Sequence, residues 1–213
     1  MQFQTSLVLS AAALVASNAG AAVQATNNFT VFSQLVADAG ETVAAVTFDG
    51  IGAKSIGPTV SGTSGGVTWT ASATFGASGQ DLWGYPGPNW LSTEFAGDQS
   101  VLRFELGKGV RALGGEFFAV DFDFNVATDS SFFRVELADG SSFEGVTGAA
   151  PGFTGFVSDS ADIVSISISV GSLAGPNDYY PAASGLYFSV VPAPGAIALL
   201  GALGLVGNRS RRR

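Results

Sequence analysis

The feature that most constrains the fold of this chain is the alternation of apolar with polar residues along its middle part. In the segment VTWTASATF, Val67, Trp69 and Ala71 alternate with threonine and serine. Successive side chains of a β-strand point to opposite faces of the sheet, so this segment has one face for a core and one for solvent. The same period of two recurs in residues 101–106, 119–126, 132–143, 162–170 and 185–191.

These segments predict about eight to ten strands joined by glycine-rich turns. Polar residues line one face of most segments, which is typical of antiparallel sheets and not of a parallel sheet buried on both faces. The pair Asp139-Gly140 lies between two apolar runs and predicts a hairpin turn. We therefore predict an all-β protein, an antiparallel β-sandwich of the jelly-roll type.

One segment near the start has the period of a helix instead. In NFTVFSQLVADA, Phe32, Leu35 and Val36 are spaced i, i+3 and i+4, which places them on one helical face. Asn28 or Thr30 can cap the first turn with its side chain. The sequence therefore predicts one short N-terminal helix ahead of the strands.

Charge and missing residue types narrow the function. Residues 23–191 hold all 17 acidic residues and five basic ones, which gives this part a net charge of −12, that is 5 minus 17. Such a surface repels phosphate backbones, so we expect no nucleic-acid partner. The chain has no cysteine and no histidine. This excludes disulfides, thiolate or histidine metal sites, and catalysis by a histidine base.

The N-terminal residues 1–22 are typical of a secretory signal peptide. An apolar stretch over 7–16 is followed by Ala19-Gly20-Ala21, a small-x-small cleavage pattern. No lysine or arginine precedes the apolar stretch, so only the terminal amine is positive there. We predict cleavage after Ala21 or Ala22 and export of the protein.

The C-terminal residues 192–213 combine three features. They begin with Pro192-Ala193-Pro194, continue with an unbroken apolar run over 195–207, and end in a cluster of arginines. As a helix the run is roughly 20 Å long, short of the about 30 Å of a bilayer core. By the positive-inside rule the arginine cluster favours the cytoplasmic side. The cluster consists of Arg209, Arg211, Arg212 and Arg213.

This combination resembles the PEP-CTERM sorting signal of exported bacterial proteins, in a variant with Ala193 where that family usually has glutamate. The resemblance implies processing near Pro192 and Pro194 by an exosortase-type enzyme, with the C-terminal helix held in the membrane transiently. A simple short tail anchor is the alternative. The body segments VTFDGIG, GVRALGGEFF and VELADGSSF also resemble the sandwich domains of that family. The resemblance thus implies a signal peptide over 1–22, a sandwich domain over 23–191 and a sorting signal over 192–213.

A cluster of aromatic residues is the strongest candidate for a binding site. The segment GQDLWGYPGPNW contains Trp83, Tyr85 and Trp90 among glycines and prolines, and predicts a stiffened loop. Sugars stack their apolar C–H faces on such rings, so these residues are candidates for contact with an extracellular polysaccharide. Gln80, Asp81 and Asn89 in the same segment are candidates for the hydrogen bonds to its hydroxyl groups. The alternative is that the rings fold back and cover an end of the sandwich.

Acidic residues supply two further candidates. Asp49 and Asp178 are candidate calcium ligands that would join an early strand to a late loop. Asp121 and Asp123, together with Asn125, alternate on one predicted strand face, where they would pair as glycosidase carboxylates, bind calcium or simply face solvent. No other cofactor is expected.

Two function classes follow from these candidates. The first is a non-catalytic protein of the cell envelope, cell surface or extracellular matrix, which binds glycan through its aromatic residues. The second is a carboxylate-dependent enzyme that acts on polysaccharide, since glycosidases need only aspartate and glutamate. Glu94, near Trp90, is the best candidate acid for it, but the sequence shows no partner carboxylate. The first class is therefore our prediction.

Overall fold

A computed structural model describes the chain over residues 21–51, 53–85, 89–127, 131–147, 152–170 and 179–192. These residues form one helix, α1 (Phe29–Asp38), and fifteen strands. The strands are β1 (Val23–Thr26), β2 (Thr42–Thr47), β3 (Lys54–Gly57), β4 (Thr59–Ser64), β5 (Val67–Phe75), β6 (Ser78–Gln80), β7 (Leu82–Tyr85), β8 (Trp90–Thr93), β9 (Ser100–Leu106), β10 (Ala112–Val120), β11 (Phe132–Leu137), β12 (Ser142–Val146), β13 (Phe153–Ser158), β14 (Ile163–Ser169) and β15 (Tyr180–Val190).

The strands form two sheets in which every recorded pairing is antiparallel. The first sheet has the order β1-β13-β10-β15-β8-β7-β3, and β2 also pairs with β15. The second has the order β12-β11-β14-β9-β5-β4, and β6 pairs with β5. The predicted all-β sandwich is confirmed.

The core lies between the two sheets and follows the period of two. Trp69 and Ala71 of β5 are buried there, as are Phe104 of β9 and Leu186 and Phe188 of β15. These side chains come from both sheets and belong to one cluster of buried apolar residues. Burying large aromatic and aliphatic side chains against each other is the main contribution to the stability of such a domain.

Helix α1 forms as predicted and packs on the outer face of the first sheet. The Asn28 side chain caps it, because its Oδ1 accepts the N–H groups of Thr30 at 2.8 Å and Val31 at 3.2 Å. The helix residues Phe32 and Val36 are fully buried between the helix and the sheet, on the side of the sheet that faces away from the core. The helix therefore covers the part of this outer face formed by β13, β2 and β1.

The prediction of a strand over 119–126 is wrong beyond Val120, where β10 ends. The chain turns instead, because the Asp121 side chain accepts the Asn125 N–H at 2.9 Å and the Asp121 carbonyl accepts the Phe124 N–H at 3.0 Å. Aspartate and asparagine favour such local bonds over a sheet ladder. The turn leaves Phe122 75% exposed, although its place in the alternation assigned it to the core.

A second difference lies in β14. The alternation placed Val164 in the core, but Glu136 pairs with Ser165 and the next residue, Leu137, pairs with Ile163. This β-bulge skips Val164 and buries Ile163 instead.

The outer face of the second sheet is charged and internally paired. Arg103 bonds Glu136 at 2.8 Å, and Arg134 bonds Glu144 at 2.7 Å. The Arg103 guanidinium, as a hydrogen-bond donor, holds the pKa of Glu136 below its ordinary value. This face therefore has the character of an ordinary solvated surface. The outer face of the first sheet differs from it.

Both predicted targeting segments lie mainly outside the described residues. Residues 1–20 of the predicted signal peptide (1–22) and residues 193–213 of the predicted sorting signal (192–213) lie outside the described residues. Within the described ranges, no helix has the length and hydropathy needed to cross a membrane.

The close packing of α1 on the sheet predicts the effect of one methyl group. A Cβ at Gly155 would lie 2.7 Å from ring atoms of both Phe32 and Phe153. We expect Gly155→Ala to lower the free energy of unfolding by about 1–3 kcal/mol, because neither ring can move without displacing the helix. Gly79→Ala is the matched control, since a Cβ there meets nothing within 4 Å. Urea unfolding of both variants is the measurement, and equal midpoints would contradict the packing.

Candidate functional site

The predicted aromatic loop is mostly a β-hairpin. Strands β7 and β8 pair antiparallel, with Tyr85 opposite Trp90 and Trp83 opposite Ser92. The local sequence explains this, because Leu82 alternates with the two aromatic residues that follow it and is completely buried in the core. Of the predicted loop, only residues 86–88 separate the two strands, and they lie outside the described residues.

The hairpin brings the three predicted aromatic residues to one face. Trp83 and Tyr85 are two residues apart on β7, and directly paired residues of antiparallel strands share a face, so Trp90 lies on the same side. Leu82 and Leu91, which alternate with them, face the core. The three rings therefore lie on the outer face of the first sheet, and each is half-buried. We call Trp83, Tyr85 and Trp90, with the neighbouring Phe118, Phe124 and Tyr180, the aromatic face.

Two of the three rings are held by aromatic neighbours. The Trp90 ring meets Phe118 edge to face, with centroids 4.9 Å apart and an interplanar angle of 71°. The Tyr85 ring lies 4.2 Å from the Phe124 ring, which the Asp121–Asn125 turn carries over the sheet. For Trp83, the described residues offer neither a ring contact nor a side-chain hydrogen bond. Of the three rings, the Trp83 ring therefore has the smallest structural role.

The surroundings of Tyr85 are poorly hydrated. Burial of its hydroxyl, with a smaller contribution from the nearby Tyr180, raises the pKa of Tyr85 to about 12. The Tyr85 hydroxyl therefore stays neutral, and a neutral phenol can both donate and accept a hydrogen bond.

Two carboxylates share this face: Asp81, which the sequence analysis named as a hydrogen-bond partner for sugars, and Glu116, which it missed. Glu116 alternates with the core residue Phe117 on β10, and its Oε2 accepts a hydrogen bond from Ser184. Asp81 directly precedes β7, in phase with Trp83, and accepts a hydrogen bond from Ser55. The signal was present in the alternation: each acid stands two residues before an aromatic residue of the face.

The separation of these carboxylates limits what they can do together. In the sheet order, β10 and β7 are three strands apart, since β15 and β8 lie between them. At about 4.8 Å per strand, Glu116 and Asp81 are at least about 14 Å apart across the sheet. That is beyond the about 5–10 Å over which two carboxyl groups cooperate in glycoside hydrolysis.

Asp49 supports the hairpin. One of its carboxylate oxygens accepts the Thr47 hydroxyl at 2.6 Å, and the other accepts the side-chain amide of Asn89, the residue before Trp90. Its predicted calcium partner, Asp178, lies outside the described residues. The described ranges contain no group of three acidic side chains that could hold a metal ion, and the two-residue calcium site stays a prediction.

The remaining acidic candidates do not form a pair on a strand. Asp121 lies in the turn, and hydrogen bonds from the Asn125 side chain and backbone lower its pKa. Asp123 lies within that turn and not on the strand face predicted for it. Glu94 is half-buried just beyond β8, and its N–H donates to the Asp81 carbonyl at 3.0 Å.

Of the predicted sorting residues, the structure describes only Pro192. It stands two residues beyond the end of β15, after the exposed Val191. The others, Ala193, Pro194, Arg209, Arg211, Arg212 and Arg213, lie outside the described residues.

No family model, no curated protein and no solved structure matches this chain.

The raised pKa of Tyr85 predicts a late step in an alkaline titration. Tyrosine in an unfolded chain ionises near pH 10, so we expect Tyr85 to ionise near pH 12. Because folding favours the neutral phenol, its contribution to stability is complete below pH 10 and is lost as the pH rises to 12. The measurement is tyrosinate absorbance against pH. Tyr85→Phe should remove the late step, whereas Tyr179→Phe should leave it; a late step that survives in Tyr85→Phe would contradict the assignment.

Proposed function

We propose that this protein is an exported, non-catalytic β-sandwich that binds extracellular polysaccharide through its aromatic face. The observation that carries the proposal is the placement of Trp83, Tyr85 and Trp90 on one half-exposed side of two paired strands. Single exposed aromatic residues need no explanation, but a contiguous patch of them on a soluble sheet marks an interaction surface.

The geometry suits sugars because it combines flat rings with hydrogen-bond acceptors. Aromatic side chains offer a large contact area at a small cost in conformational entropy, and here a sheet and not a mobile loop carries them. Asp81 and Glu116 border the rings and present carboxylate oxygens to sugar hydroxyl groups. A polysaccharide chain lying across the sheet would meet both kinds of contact.

The proposed fold is a jelly roll, the finer form of the sandwich. From β8 onwards the chain crosses between the sheets at every step except the β11–β12 hairpin: β8, β10, β13 and β15 belong to the first sheet, whereas β9, β11, β12 and β14 belong to the second. Such repeated crossing between two antiparallel sheets supports a jelly-roll-like path.

Export and sorting complete the proposal. The signal peptide would direct the chain out of the cytoplasm, and an exosortase-type enzyme would process the PEP-CTERM-like tail near Pro192-Ala193-Pro194. Strand β1 begins at Val23, directly after the predicted signal cleavage, and β15 ends at Val190. Removal of both segments would leave every described strand whole, which supports processing at both ends.

The alternative, a carboxylate-dependent enzyme acting on polysaccharide, has less support. It requires two carboxyl groups about 5–10 Å apart across a cleft. The two carboxylates on, or directly before, the strands of this face, Glu116 and Asp81, are at least about 14 Å apart by strand spacing. This arrangement favours binding without hydrolysis.

The proposal predicts that Trp83→Ala weakens binding without unfolding the domain. The half-buried Trp83 ring has few partners, so we expect its removal to cost about 1–2 kcal/mol of stability. Retention on immobilised polysaccharides should fall about fivefold or more, if stacking of a sugar on one ring contributes about 1 kcal/mol, as the stacking of a nucleic-acid base does at the least. Glycan-array binding and retardation in polysaccharide-containing native gels are the measurements.

Phe95→Ala is the matched control for this experiment. Phe95 is an exposed aromatic residue, 51% accessible, that packs on Phe75. It follows the C-terminal end of β8, whereas Trp90 is the first residue of that strand. Its loss should leave glycan retention unchanged. Equal weakening by both variants, or a wild-type protein that no polysaccharide retains, would refute binding by the aromatic face.

The proposed processing predicts the mass of the mature protein. We expect protein released from the cell surface to begin at Ala22 or Val23 and to lack the arginine-terminated tail, as measured by intact-mass spectrometry. Replacing Arg211, Arg212 and Arg213 by serine should impair processing while the sandwich still folds, because orientation of the tail depends on that charge. A mature protein that retains Met1 would refute export by cleavage, and one that retains Arg213 would indicate a simple anchor.

A further inference from the structure

We infer that the aromatic face selects uncharged, hydroxyl-rich polysaccharides and rejects polymers that carry carboxylate or sulfate groups. This inference rests on the proposed glycan binding and specifies the chemical class of the ligand. Three observations carry it: the polar groups that border the rings, the side of the sheet on which the nearest lysine lies, and the acidic turn beside Tyr85.

The charged groups that border the rings are hydrogen-bond acceptors. Asp81 and Glu116 each accept one hydroxyl, from Ser55 and from Ser184, and the second oxygen of each carboxylate has further acceptor capacity. A carboxylate cannot donate a hydrogen bond, so the ligand must supply the hydrogen. Neutral sugars supply many hydroxyl donors, whereas a ligand carboxylate or sulfate would add a second acceptor of the same charge.

The basic residue nearest to the rings lies on the wrong side to receive an anion. Lys54, on the edge strand β3, pairs with Gly84, whereas its neighbour Ser55 pairs with Trp83. Paired residues share a face and successive residues alternate, so Lys54 lies on the side of the sheet opposite Trp83 and Tyr85. Among the described residues of β3, β7, β8 and β15 there is no other lysine or arginine. An anionic ligand on this face would therefore lack the ion pair that offsets its desolvation.

The turn beside Tyr85 adds negative charge. Its Phe124 ring contacts Tyr85, so Asp121 and Asp123, which flank Phe122 in the same turn, lie at that border of the face. The hydrogen bonds from Asn125 keep Asp121 ionised to a lower pH than usual. These charges stand within a domain whose net charge is strongly negative, which reinforces the repulsion of anionic polymers.

The test compares neutral and carboxymethylated forms of the same glucans. Native-gel retardation is measured with hydroxyethylcellulose against carboxymethylcellulose, dextran against carboxymethyldextran, and curdlan against carboxymethylcurdlan. We expect retention by a neutral form to exceed that by its carboxymethylated partner about tenfold or more at low salt, because two or more like charges each oppose binding. Added salt should narrow the difference by screening, with little effect on the neutral form.

Charge variants assign the selectivity to this face. Glu116→Gln keeps a hydrogen-bonding side chain for Ser184 and removes one negative charge, and should strengthen retention by the carboxymethylated glucan about fivefold. The matched control Glu144→Gln makes the same change on the outer face of the second sheet, where Glu144 bonds Arg134, and should leave retention unchanged. Equal effects of the two variants would overturn the assignment to the aromatic face.

The outcomes separate this inference from the proposal on which it rests. Equal or stronger retention by the carboxymethylated glucan, with loss in Trp83→Ala, would overturn the selectivity and leave glycan binding standing. Retention by no glucan of either form would overturn both. Stronger retention by a neutral form, lost in Trp83→Ala and unaffected by Glu144→Gln, would support both.

Discussion

The first sheet depends on the hydrogen bonds of its central strand, β15. One edge of β15 pairs with β10 for most of its length, and the other edge is shared by β8 and β2. Its inward residues Leu186 and Phe188 fill the core, and the Ser189 hydroxyl accepts the N–H groups of Arg111 and Ala112 at 3.0 Å on the other side. This strand thus joins the part of the sheet that carries the helix to the part that carries the aromatic face.

A bulge in β15 separates those two parts. Glu116 pairs with Gly185 and the next residue, Phe117, pairs with Ala183, so that Ser184 is an extra residue. A bulge shifts the phase of a strand and bends it, and bulges occur often beside functional sites. Here the extra residue supplies the hydroxyl that bonds Glu116. Ser184 and Glu116 together form a polar boundary of the aromatic face.

The outward-facing carboxylates Glu136, Asp81 and Glu116 have different partners on the two sheets. On the second sheet, arginines pair with glutamates, as in the bond between Arg103 and Glu136. On the first sheet, hydroxyl groups satisfy Asp81 and Glu116 without cancelling their charge. A hydrogen bond from a hydroxyl group leaves the negative charge of the carboxylate uncompensated, whereas an ion pair with arginine offsets that charge. The aromatic face therefore combines apolar rings with uncompensated acceptors, which accounts for the ligand class proposed for it.

The sequence alone determined the fold class and most of the core, because the side-chain period of a strand is a local property. The alternation around Trp69, Phe104 and Phe188 predicted buried residues correctly, and the spacing of Phe32 and Val36 with Asn28 predicted a capped helix. The prediction from the sequence was wrong where pairing with a neighbouring strand, or a local turn, determined which side chain is buried. Register against β11 buried Ile163 instead of Val164.

Similarly, the candidate residues of the site could be named from the sequence, but their arrangement could not. Trp83, Tyr85 and Trp90 were candidates because of their chemistry, yet only strand pairing showed that they share a face. Glu116 is 26 residues from Trp90 in the chain and reaches the same face through two intervening strand pairings. Such contacts depend on hydrogen bonds between distant strands, to which no local pattern is sensitive. The sequence determined which side chains were available for binding, and the tertiary structure decided which of them act together.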